Sequence, residues 1–134
     1  MPSSPTLKRV LLNLARSKEF PAGSSHHGYE LIAPLDYFGR LNNELWRMNR
    51  ADCTVRHFVK GQDDRTGMLV HKAGGAEHGR WVFDYDQTTT SDDEEGFLFG
   101  SHRFVPGEYV SVQDEQGHEQ TFSVTSVEEL AAAS

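Results

Sequence analysis

Residues 104–124, FVPGEYVSVQDEQGHEQTFSV, read as a turn, a strand, a second turn and a second strand. Pro106 and Gly107 suit the two central positions of a type II turn, where the second residue must accept a positive φ. Glu115, Gln116 and Gly117 suit a three-residue hairpin loop with Gly117 in the left-handed conformation. That loop sets the register, so Asp114 faces His118 and Val110 faces Phe122. Alternation then gathers Val110, Val112, Phe122 and Val124 on one buried face and leaves Tyr109, Ser111, Thr121 and Ser123 on the other. A hairpin with one apolar face needs a second layer against it, which the rest of the chain must supply.

Upstream of the hairpin the same pattern recurs. CTVRHFVK (53–60), GMLVHKA (67–73), RWVFDYD (80–86) and FLFGSHRF (97–104) are short runs rich in Val and aromatic residues. Between them lie GQDDRT, GGAEHG and QTTTSDDEEG, which carry turn chemistry. GYELIA (28–33) reads as a further strand. LNNELWRMNRAD (41–52) reads as a short helix with Leu41, Leu45 and Met48 on one face and Trp46 beside them. The pattern predicts a mainly β (α+β) fold, an antiparallel meander forming a small barrel or sandwich, with the one short helix covering an opening.

At the N-terminus, Leu7, Val10, Leu11 and Leu14 recur at helical spacing after a Ser4-Pro5 cap, which predicts a helical extension. EFPAGSSHHG (19–28) has the composition of a linker. The expected organisation is therefore a basic helical extension over 1–22, one β-rich domain over 23–128 and a flexible tail over 129–134. The extension is expected to be removable without loss of the fold.

A chain of 134 residues with 37% hydrophobic content can bury one core. Its net charge is −7, and the four bases Lys8, Arg9, Arg16 and Lys18 in the first twenty residues leave the body more acidic still. An acidic body repels a phosphate backbone, which disfavours nucleic acid as a partner. No apolar run approaches the ~20 residues that span a bilayer, and no secretory signal stands at the start, so a cytoplasmic protein away from the membrane is expected. The single cysteine, Cys53, excludes an internal disulfide and any CxxC motif.

Three sets of residues are candidates for chemistry or binding. In DYDQTTTSDDEE (84–95), Asp84, Asp86, Thr88, Thr90, Asp92 and Glu95 match positions 1, 3, 5, 7, 9 and 12 of a calcium loop, which makes Asp84, Asp86, Asp92 and Glu95 candidate metal ligands. Thr89 and Ser91 replace the template's Gly and apolar residue, and the flanks are strands, so a solvated surface loop is the simpler expectation. Cys53 and His57 point to one side of a strand, where His71, or His26 and His27, could join them around zinc. The alternative is a small apolar core residue beside an ordinary half-buried histidine. Phe58, Leu69 and Tyr109 occupy strand positions expected to face solvent, where they would form a patch for a protein partner or self-association, or else pack beneath helices and loops.

The segment PGEYV resembles the first flavin-contacting stretch of ferredoxin-reductase-like barrels. That resemblance implies a flavin held by an Arg on its phosphate and a Tyr on its ring, where this chain has Gln120 and Phe122. GEYVSVQDEQGHEQTFSVTSV also resembles the closing hairpin of SH3-like and related small β-barrels, and the body resembles a small uncharacterised bacterial protein family. This implies a barrel and no particular chemistry. No nucleophile–base pair or phosphate loop is present. The expectation is thus a binding or interaction module that is not an enzyme and has no cofactor. A flavin-binding barrel and a divalent-metal protein using the acidic loop are the alternatives.

Overall fold

A computed structural model describes residues 6–16, 21, 23–72, 80–85, 94–97, 99, 102–114 and 117–130. Within them lie β1 (Thr6–Leu14), β2 (Ser24–Leu35), α1 (Asn43–Met48), β3 (Thr54–Val59), β4 (Arg65–Lys72), β5 (Arg80–Asp84), β6 (Glu94–Phe97), β7 (Tyr109–Gln113) and β8 (Glu119–Glu129). Each strand pairs antiparallel with its neighbour in sequence, and β8 returns to β1, so the meander closes into a barrel. Closure removes the free edges through which an open sheet would recruit other chains.

The β7–β8 hairpin has the expected register. Val110 lies opposite Phe122, and Asp114 donates its N–H to the His118 carbonyl at 2.8 Å. Gly107 and Gly117 have φ of 95° and 85°, which is the left-handed region their turns require. A Gly117→Val variant should lose roughly 1–2 kcal/mol, because a β-branched side chain is strained there. Urea denaturation at neutral pH measures the loss, and an unchanged midpoint would reject the turn assignment.

The N-terminal expectation fails. Residues 6–14 form a strand rather than a helix, and β1 lies between β2 and β8. The helical set Leu7, Val10, Leu11, Leu14 shares the segment with a period-two set, Val10, Leu12 and Leu14, and these three are the residues buried in the core. Non-local pairing on both sides decides between the two periods. The linker expectation changes with it, because Ser24–His27 already belong to β2. Residues 1–5, 17–20, 22 and 131–134 lie outside the described residues.

The link from β2 to β3 carries α1 and a single 3-10 turn, Arg50–Asp52, and so covers one end of the barrel. Asn42 caps the helix, its Oδ1 accepting from the Leu45 N–H at 2.8 Å. The buried helical residue is Trp46, while Met48, expected on the inner face, is 81% exposed. The Trp46 indole donates to the Leu69 carbonyl at 2.7 Å and meets Trp81 edge-on at 6.0 Å. Phe83, Phe99 and Phe104 continue the apolar filling through edge contacts of 5.7 and 5.1 Å. This end is apolar and plugged.

Candidate functional site

At the opposite end, β1, β3, β5 and β7 finish and β2, β4, β6 and β8 begin. Alternation along each strand determines which side chains turn inward there. On β2 the buried row Leu35, Ala33, Leu31, Tyr29 continues to His27. Along β3 and the residue before it the row Cys53, Val55 continues to His57, and along β5 and the residue after it the row Trp81, Phe83 continues to Tyr85. Glu94 opens β6 opposite Phe83. Tyr29, His57 and Arg65 are aligned across β2, β3 and β4. The inward rows of β2, β3 and β5 are thus apolar through the barrel and end in ionisable side chains.

These side chains form one network. Glu94 is 2% exposed, and its Oε1 accepts from the Tyr29 hydroxyl at 3.0 Å and from the Tyr85 hydroxyl at 2.6 Å. A carboxyl buried to this degree costs several kcal/mol unless donors satisfy it, and the two phenols supply that compensation. Burial, and then the Glu94 charge, push both tyrosines well above the usual phenol range, so they remain protonated donors. Arg65 sits over the Tyr85 ring at 4.0 Å.

His57 occupies the centre. Its ring stacks on Tyr29 at 4.2 Å, its Nδ1 faces Glu94 Oε1 at 3.6 Å and its Nε2 lies 3.2 Å from the Nε2 of His27. His27 in turn meets Phe122 edge-on at 5.5 Å. Burial pushes His57 down to about 4, helped by the His27 and Arg65 charges, and burial also lowers His27. Both imidazoles are neutral at physiological pH, and the approach of Glu94 orients His57 instead of forming an ion pair.

A pH dependence follows from this. The unfolded chain takes up the His57 proton near its ordinary value of about 6.5, whereas the folded chain resists until about 4. Between those values the unfolded state binds more protons, so stability rises with pH across the window and is lost as pH falls through it. The loss from His57 should reach at most roughly 3 kcal/mol near pH 4. Urea titrations of wild type and His57→Gln, with EDTA present, check the assignment. Equal slopes of stability against pH in the two proteins would reject it.

The candidates from sequence are distributed differently. Cys53 is fully buried near the helix end, and burial, followed by Asp52, pushes its thiol up to about 11, so it is an inert core residue. His71 packs against Trp46 and Trp81 at 6.0 and 4.7 Å. Of the expected companions of His57, only His27 joins it. Asp84 closes β5 opposite Met68, and Glu95 pairs with Arg80 at 3.1 Å on the face opposite Glu94. Asp86 and Asp92 lie outside the described residues. Leu69 is 1% exposed in the core rather than on the surface, Phe58 is half-buried beneath the Arg56 guanidinium at 4.9 Å, and Tyr109 is 60% exposed on β7.

Glu94, Tyr85 and Tyr29 escaped sequence reasoning. The available signal was a polar residue continuing an otherwise apolar inward row, as Tyr85 does after Trp81 and Phe83. Among the described residues no group of three or more His, Cys, Asp or Glu is arranged to hold a metal ion, and no helix is long and apolar enough to cross a membrane. No protein-family model matches the chain, and neither a curated protein nor a solved structure is significantly similar to it.

Proposed function

We propose that this protein acts by binding, and that its ligand site is the polar end of the barrel around His27, His57 and Glu94. The observation that carries this reading is the placement of a hydrogen-bonded Glu94–Tyr29–Tyr85 cluster, with His57 Nδ1 3.6 Å from the carboxylate, at the end of an otherwise apolar interior. A barrel of this size needs no such network to fold, since apolar side chains of similar volume would fill the space at no desolvation cost. Perturbed ionisable groups gathered at one end of a scaffold are a physical mark of a functional site. The packed interior beneath leaves the ligand at the rim, which favours something small and polar over an enclosed apolar molecule. Small barrels, SH3-like ones among them, carry such sites on a shared scaffold.

Native mass spectrometry of the untagged full chain is the test. The expected result is a folded monomer that retains a bound species absent from the denatured chain. Backbone amide shifts at Tyr29, His57 and Glu94 should change when that species is stripped. Shifts confined to Tyr109, Tyr37 and Phe38, which are exposed aromatics, would move the function to a protein-interaction face. The flavin alternative would use Tyr109 and Gln120 on the β7–β8 hairpin and predicts a yellow preparation, whereas we expect a colourless one.

A further inference from the structure

We propose that His27 and His57 bind a divalent transition-metal cation of the zinc class through their Nε2 atoms, with Glu94 positioning His57 from behind. The proposal rests on the polar end being the binding site and names its ligand. Two imidazole nitrogens held about 2.0–2.1 Å from a tetrahedral ion stand roughly 3.3 Å apart. The two Nε2 atoms are 3.2 Å apart in a hydrogen bond in which one of them donates, so an ion takes the place of that shared proton at nearly the same spacing once the donor ring carries its proton on Nδ1.

Glu94 supplies a second, independent observation. A metal-bound histidine commonly directs its other ring nitrogen at a carboxylate, which fixes the tautomer and increases the basicity of the ligating nitrogen. Glu94 Oε1 stands 3.6 Å from His57 Nδ1, on the side of the ring away from His27. A proton kept on Nδ1 leaves the Nε2 lone pair directed at the shared point. Stacking on Tyr29 at 4.2 Å holds the ring in that orientation, and the two tyrosine hydroxyls hold the carboxylate. His27 is half-buried, which gives an ion access from solvent. Among the described residues two nitrogens are the protein's share, one fewer than the three protein ligands of zinc sites that keep an open position, so the remaining positions fall to water or to an anionic ligand.

The experiment is calorimetric titration of chelator-treated, untagged full-length protein with zinc chloride, repeated with cobalt chloride while recording the visible spectrum. Saturable 1:1 binding in the micromolar range is expected, with cobalt absorption of tetrahedral intensity. His27→Gln and His57→Gln should each weaken binding at least about tenfold, and Glu94→Gln by about ten- to a hundredfold. His26→Gln, at an exposed neighbouring position, should bind as wild type does. His27→Gln also guards against loss of fold, since a half-buried polar exchange preserves the amide spectrum. Binding that survives His27→Gln, or disappears in His26→Gln, overturns the proposal. No binding, alongside a different retained species that shifts the Tyr29 and Glu94 amides, overturns the metal while sparing the site. No binding and no such species overturns both.

Discussion

A chain that begins at Gly23 should fail to fold cooperatively. This reverses the expectation from composition, because β1 closes the barrel. Its loss would remove Val10, Leu12 and Leu14 from the core and break the ladders to β2 and β8 together. Full burial of three aliphatic side chains is worth about 1.5–3 kcal/mol each, and the total stability of a domain is only about 5–15 kcal/mol. The lost hydrogen bonds, and the exposed edges of two long strands, add to the deficit. Urea unfolding followed by far-ultraviolet circular dichroism is the measurement. A cooperative transition in the truncated chain, with a midpoint near that of the full chain, would show β1 to be an accessory strand.

The second large effect is expected at Phe122. Its ring is 1% exposed, lies opposite Val110 and meets Tyr29 edge-on at 5.0 Å and His27 at 5.5 Å. Phe122→Ala should therefore cost about 3–5 kcal/mol, the range for deleting a buried aromatic ring. Gln120→Ala, two residues earlier on β8 and exposed, should stay within roughly 0.5 kcal/mol. Equilibrium denaturation of both variants at neutral pH separates the cases. Equal and small effects would mean that Phe122 does not face the core, as a one-residue slip of the β7–β8 register would turn both side chains, which share a strand face, outward.

The hairpin was legible because its determinants are local. Pro106, Gly107 and Gly117 specify turns by their own backbone preferences, and alternation does the rest. The first strand was not legible, because its residues satisfy helical and strand periods at once and partners more than a hundred residues away decide between them. Gly28 misled for a related reason. It reads as a breaker, yet it lies inside β2 where the Leu12 carbonyl passes so close that an added Cβ would come within 1.9 Å. Composition places His27 in a linker, although it and His57 both end inward rows. The site was hidden in the same way. Tyr85 and Glu94 border the acidic stretch whose count of carboxylates drew attention to Asp84 and Glu95, and only the barrel's closure shows which of them turn inward.

Pairing between the first and last strands also has a temporal consequence. Lys8 bonds Glu129 at 3.1 Å across a sequence separation of 121, so the β1–β8 seam requires the longest loop closure in the molecule. Every other ladder joins strands adjacent in sequence and can form early. During synthesis β1 emerges first but cannot acquire its second partner until β8 has left the ribosome, while translation proceeds at about 5–20 residues per second. For several seconds the nascent chain is an unsealed sheet with β1 at its edge. The seam is the one ladder that waits for both ends of the barrel, and sequence changes along β1 or β8 should act on the speed of assembly as well as on its final stability.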